Sequence, residues 1–226
     1  METWQILKQN VVFNSLTERE LYALLEGSIM RQYHKGQYLA HAGDPWPFLF
    51  FLLKGSVSAV KESMEGRSLV ATSFKSEEVF WGVSFFDPGL LMPVDLKADS
   101  QSTVYLWSRE KLLPTLMQNG AMSWELCRLM VRRMLRASEI VEELAFQPVA
   151  GRLARLLIDY PGQSASGPVA RSLTLDDMAA RIGSTREVVC RFLQQFADDD
   201  LIKITRTEFE ITDRDGLMGI VHKVRG

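Results

Sequence analysis

The stretch that most constrains this chain is Ser172 to Ile202, SLTLDDMAARIGSTREVVCRFLQQFADDDLI. Thr174 stands three residues ahead of Asp177, the spacing of an N-cap and its partner. Met178, Ala179 and Ile182 then supply an apolar side before Gly183 stops the helix. After a short turn, Ser184 and Glu187 repeat the capping-box spacing ahead of a second apolar run. At about 100° per residue, Val189, Phe192, Leu193 and Phe196 gather on one side of this second helix. Arg186, Glu187, Cys190 and Arg191 gather on the other. A helix, a Gly turn and a second helix with Arg at its exposed N-terminal end form the geometry that carries side chains into the major groove. Arg bonds guanine O6 and N7 together, and Glu accepts from the cytosine amino group. Two surface helices with solvated charges would have the same spacing, so spacing alone leaves both readings open.

The run Gly183 to Arg191, GSTREVVCR, resembles the recognition helix of the cAMP receptor protein/FNR (CRP/FNR) family of bacterial transcription regulators. The resemblance puts Arg186, Glu187 and Arg191 at the family's three base-contacting positions. Ser184, Thr185 and Cys190 complete the expected DNA-facing set, with Cys190 where the family usually has a small residue. The expected partner is double-stranded DNA, with RNA polymerase added if the protein activates.

The 226 residues suit two domains, and 46% hydrophobic residues with mean hydropathy near zero describe a soluble protein with ample core. The net charge is −2. From Gln147 onward eleven Lys and Arg face eleven Asp and Glu, so any DNA affinity must come from where charge is placed. Two distant cysteines, Cys127 and Cys190, make neither a disulfide framework nor a zinc site; inert thiols are the favoured reading, against an interchain disulfide at Cys127 or a redox switch at Cys190. METWQILKQNVVF lacks the features of a secretion signal, and no apolar run reaches membrane-spanning length. A cytoplasmic protein with no membrane contact is expected.

Near the start, Thr17, Glu20 and the stripe Leu21, Leu24 and Leu25 predict a capped helix before Gly27. From Ile29 to Ser108 short alternating or aromatic runs are punctuated by glycines, which predicts an antiparallel β-roll and an α+β chain. Within it, Gly43 to Val57, GDPWPFLFFLLKGSV, resembles the cyclic-nucleotide-binding roll of the same family. That roll is also the cupin-like jelly roll, so a cupin-like metal enzyme with an accessory winged helix is the alternative from another class. Against it, His34 and His41 are the roll's only histidines and form no H-x-H pair. No nucleophile–base pair or Gly-rich phosphate loop supports an enzyme either, so no metal and no catalytic residue are assigned.

After a break at Asn119-Gly120, a long helix is expected to reach Phe146. On it Cys127, Met130, Met134, Ala137, Val141 and Leu144 alternate in spacings of three and four, the seam of a two-stranded coiled coil; a helix buried within one chain is the competing reading. Leu126, Leu129, Arg133 and Ile140 lie beside the seam, where they could face the roll. The resemblance implies a homodimer on a near-palindromic operator, with recognition helices about 34 Å apart. Gln147-Pro148 marks a hinge, followed by a helix from Val149 to Tyr160 and a loop from Pro161 to Pro168. Leu201 to Thr205 and Phe209 to Ile211 form a two-stranded wing without a tip Gly, where Lys203 and Arg206 can meet phosphate. Asp213 caps a last helix through Val221. The expected domains are 1–119 (effector-sensing roll), 120–146 (dimerisation helix) and 147–226 (winged helix-turn-helix).

In cAMP-binding relatives a Gly-Glu pair and an Arg-Ser pair hold the ribose and cyclic phosphate. Here Val83 follows Gly82, Met92-Pro93 stands at the Arg-Ser position, and the adenine-contacting pair reads Ala137-Ser138. A phosphate without its Arg loses a bidentate, charge-assisted bond, so the effector is expected not to be cAMP. The pocket set is Trp81, Gly82, Val83, Phe85, Met92, Met134, Ala137 and Ser138, with Phe80, Phe86, Leu91, Tyr105 and Trp107 as further apolar lining. Such a lining suits an apolar or aromatic ligand with one or two polar anchors, and the resemblance to chlorophenol-responsive members of the family, whose pocket strand departs in a similar way, implies a small aromatic acid. The other readings are a core filled by its own rings and a ligand-independent regulator. Two distant cysteines cannot supply an iron–sulfur cluster, whereas His34, His41 and Cys127 leave haem open.

Overall fold

The run FLFFLL within β3 (Phe48–Lys54) is buried along most of its length. Its side chains alternate between two cores, Leu49 and Phe51 in one and Phe50 and Leu52 in the other. A strand of this kind needs a packed layer on each face. The computed structural model describes residues 2–160, 167–205 and 207–222. One sheet runs β1 (Ile29–Tyr33), β8 (Ser102–Ser108), β3 and β6 (Glu78–Trp81), each pair antiparallel. The facing sheet runs β2 (Tyr38–Ala40), β7 (Asp95–Ala98), β4 (Ser56–Glu62) and β5 (Ser68–Lys75).

Phe50, Phe74 and Phe80 stack face to face in the inner core, with centroids 4.5 Å (Phe50–Phe80) and 4.4 Å (Phe74–Phe80) apart. The outer face of the first sheet is covered by α1 (Thr3–Gln9), α2 (Glu18–Glu26), α3 (Arg109–Gln118) and the start of α4 (Gly120–Phe146). There Trp107 packs on Phe13 and its indole donates to the Leu24 carbonyl at 2.7 Å. The Thr17 capping box on α2 forms as expected. Helix α1 was not anticipated, because Glu2 and Gln5 close its capping box and neither is a strong N-cap type. The break before α4 has a local cause: the Asn119 side chain accepts the Met122 N–H at 2.9 Å.

Close approaches divide the chain into two units, Met1–Lys61 with Ala71–Arg136 and Glu62–Val70 with Ala137–Gly226. In the second, α5 (Val149–Ile158), α6 (Leu175–Ile182), α7 (Arg186–Asp198) and α8 (Arg214–Val221) surround a core that includes Leu153, Met178, Val189, Phe196, Phe209 and Leu217. The Arg152 guanidinium donates to the carbonyls of Gln147 at 2.7 Å and Ile182 at 2.8 Å, tying the residue after α4 to the end of α6. The wing has three strands rather than two: β9 (Val169–Ala170) pairs with β11 (Glu208–Ile211), which pairs with β10 (Ile202–Ile204). Near the tip, the Thr205 hydroxyl accepts the Glu208 N–H at 3.1 Å. Arg206 and most of the expected loop, 161–166, lie outside the described residues. The Asp213 cap on α8 forms, accepting the Gly216 N–H at 2.9 Å.

Candidate nucleic-acid and effector sites

Helix α6 begins at Thr174, which forms the expected capping box with Asp177, and ends at Gly183 in the left-handed region (φ 61°). A side chain at Gly183 would also press on Leu144. The cap of α7 differs from expectation: Thr185, not Ser184, holds the extended N-cap conformation and accepts the Val188 N–H at 3.5 Å. The reason is the turn itself, because the Ser184 N–H is bonded to the Ala179 carbonyl at 2.9 Å and closes the preceding helix. Glu187 consequently sits at the second helical position. Its carboxyl accepts from its own backbone N–H and from Thr185, which holds it below the usual carboxylate range.

Val189, Leu193 and Phe196 are buried under α7 and Phe192 is half-buried, while Arg186, Glu187, Cys190 and Arg191 are exposed together. Ser184 and Thr185 are half-buried at the entry to the helix. The Arg186 guanidinium bonds Asp176 of α6 at 2.9 Å, with both side chains well exposed. The Arg191 guanidinium lies over the Phe192 ring, 5.2 Å from its centroid. Cys190 is a free, exposed thiol. Lys203 projects from β10, exposed. The face thus offers two Arg forks and one carboxylate at a helix N-terminus, the groups that read guanine and cytosine edges.

The residues expected around the effector separate into several places. Met92 joins the inner core, whereas Phe85, with Tyr105 and Trp107, packs against the helices outside the sheet. The cause is strand alternation: Val104 and Leu106 of β8 point into the roll, so Tyr105 and Trp107 point out. Trp81 is half-buried and edge-on to Phe86, which is itself 40% exposed. A side chain at Gly82 would collide with the Trp46 carbonyl, so glycine is required there. Val83 opens a single 3-10 turn to Phe85 and brings no polar group to it. Leu91 is exposed, as are Met134, Ala137 and Ser138 on α4.

Along α4, Trp124, Val131, Met134, Leu135 and Val141 are each more than half exposed, and Cys127 is exposed with them. Of the seam residues, Met130 and Leu144 are half-buried. Trp124, Val131 and Leu135 were missed, although Trp124, Cys127, Val131, Met134 and Val141 also follow coiled-coil spacing. Arg133, expected beside the seam where it could face the roll, does face it. Its guanidinium lies 4.5 Å from the Phe74 centroid and 5.1 Å from that of Trp81, and it donates to the Val79 carbonyl at 2.6 Å.

Residues 30–119 match the family model of the cyclic nucleotide-binding domain, and residues 151–220 match that of the Crp-like helix-turn-helix domain. The chain belongs to the CRP/FNR family. The cAMP-activated global transcriptional regulator CRP of Pasteurella multocida is 27% identical over 181 residues, covering 76% of this chain and 85% of that protein. The CRP-like cAMP-activated global transcriptional regulator of Mycobacterium tuberculosis is 26% identical over 220 residues, covering 94% of this chain and 97% of its own. The fold is that of a CRP/FNR-family transcriptional regulator from Eubacterium rectale, with a TM-score of 0.78 at 18% identity and coverage of 94% and 98%. As a CRP/FNR protein the chain is a DNA-binding transcription regulator with an effector-binding domain, and not an enzyme. Among the described residues no helix is long and apolar enough to cross a membrane, and no three His, Cys, Asp or Glu side chains group as metal ligands.

Proposed function

We propose that the protein works as a cytoplasmic homodimer on a near-palindromic operator, controlled by a small molecule in the roll that is not cAMP. The observation that carries the dimer is the apolar stripe on α4, since a helix leaving Trp124, Val131, Met134, Leu135 and Val141 in water needs a partner. A second copy of the same helix supplies matching spacing in parallel register. Two copies of α7 would then meet successive major grooves, with Arg186, Glu187 and Arg191 toward base edges and Lys203 and Arg206 toward phosphate.

The relatives named above are cAMP-activated, and the departures at the ligand positions support a different effector here. Val83 and Met92 have no group to bond a ribose hydroxyl or a phosphate, and Met92 is 4% exposed within the core. Control is a population shift: a ligand that binds one arrangement of α4 better than another changes how often the two recognition helices match the operator. Sedimentation of the purified protein, followed by operator titration with and without cAMP, tests this reading. A dimer whose operator affinity ignores cAMP is the expected result. A monomer, or a cAMP-dependent rise in affinity, overturns the corresponding part.

A further inference from the structure

We infer that Arg152 is the positioning residue that fixes how far apart the two recognition helices of a dimer stand, and so which half-site spacing the protein accepts. This rests on the homodimer proposed above. The observation behind it is one guanidinium shared between two helix ends. Its Nη1 donates to the Gln147 carbonyl at 2.7 Å, with the Glu143 and Leu144 carbonyls at 3.4 and 3.5 Å, and its Nε donates to the Ile182 carbonyl at 2.8 Å. The first three carbonyls close α4 and the hinge, whereas Ile182 ends α6 directly before the turn at Gly183. The chain from Ala137 onward, with the end of α4, belongs to the same unit as the helix-turn-helix, so all these bonds lie within that unit.

The last carbonyls of a helix lack intrahelical donors and carry the negative end of its dipole, so one cation placed between two such ends serves both. The separated nitrogens of a planar fork hold two directions together, where the point charge of a lysine holds one. A second contact bears on the same joint. Gly183 stands at φ 61°, and a side chain there would meet Leu144 at 2.7 Å, so Leu144 of α4 rests on the turn that leads into α7. The covalent route from Gln147 to Arg186 passes through α5, β9 and α6, whereas Arg152 spans from the hinge to the end of α6 with a single side chain. Ala137, Val141 and Leu144 of the proposed seam lie on the stretch of α4 tied in this way. In a dimer joined along that seam, each Arg152 relates a recognition helix to the twofold axis. The accepted spacing follows, because one extra base pair moves a half-site by about 3.4 Å and turns it by about 35°.

The first measurement needs neither operator nor effector, because Cys190 places an exposed thiol on each recognition helix. In the full chain carrying Cys127→Ser, a nitroxide on Cys190 reports the distance between the two helices of the dimer by pulsed electron spin resonance. A single narrow distribution is expected. Arg152→Gln is expected to widen it about twofold or more, with the dimer kept in sedimentation and the helices kept in far-UV circular dichroism, and Arg152→Lys to widen it less. The second measurement uses DNA that the unsubstituted chain selects from a random-sequence pool. One base pair inserted between the half-sites is expected to weaken that chain about tenfold or more and Arg152→Gln about threefold or less. A loss of stability alone would weaken every spacing alike. An unchanged distribution in Arg152→Gln, or in Arg152→Lys where the first does not fold, overturns the positioning role, as does an equal spacing penalty in the two chains or a broad distribution before any change at Arg152. A monomer in sedimentation of the unsubstituted chain overturns instead the dimer on which that role rests.

Discussion

The helix-turn-helix and the β-roll are built on opposite logics. In α6 and α7 nearly every decision is made within a few residues: Thr174 caps through Asp177, Gly183 ends the helix in a left-handed conformation, and one face is apolar. In the roll, β3 is buried on both faces, and only the placement of other strands and helices decides that Phe50 points inward and Phe51 outward. A local device is disturbed locally, whereas a layered core fails as a whole.

The largest expected effect is therefore in the roll. Phe80→Ala empties the centre of the Phe50–Phe80–Phe74 stack and is expected to cost the first unit about 3–5 kcal/mol. All five tryptophans, Trp4, Trp46, Trp81, Trp107 and Trp124, lie in that unit, so their fluorescence in a urea titration reads it alone. A loss under about 1 kcal/mol would show that the stack is not the keystone of the inner core.

The same contrast explains what could be read from the chain beforehand. The break at Asn119, the caps at Thr17, Thr174 and Asp213, and the exposed side of α7 all have local causes and were legible. The shift of the α7 cap from Ser184 to Thr185 was not, because both are good cap types and only the bond from the Ser184 N–H to Ala179 separates them. The residues expected around the effector could be assigned to a strand and a helix but not to a cavity. Phe85, Tyr105 and Trp107 share an aromatic character with Phe80, and alternation assigns sides only once the register is known. Strand β9, two residues long, carries too little pattern to be seen in isolation.

The helix-turn-helix should answer to single side chains in a graded way. Arg186→Ala is expected to cost about 1–3 kcal/mol of specific operator binding and to relax preference at one base step, measured by titration against operator variants. Unchanged affinity and preference would remove Arg186 from the reading set. Below that in size, Thr185→Ala is expected to lower the stability of the second unit by about 1 kcal/mol and Ser184→Ala by distinctly less, followed by far-UV circular dichroism. The reverse order would return the cap to Ser184.

The smallest expected effect concerns the bond between Arg186 and Asp176. Both side chains are well exposed, and such pairs contribute about 0–1 kcal/mol, so the bond adds little to the fold. Its consequence lies in binding: while Asp176 holds the guanidinium, Arg186 must leave a carboxylate before it can meet a base. Asp176→Asn removes that competitor and a negative charge facing the phosphates, so operator affinity should rise a few-fold with stability almost unchanged. The gain should shrink at high salt, because both contributions are screened. In Arg186→Ala the competition no longer exists, so adding Asp176→Asn should leave only the smaller, general gain from the lost charge. An equal gain with and without Arg186 would mean that Asp176 acts on the DNA through charge alone, and that the pair does not restrain the reading side chain.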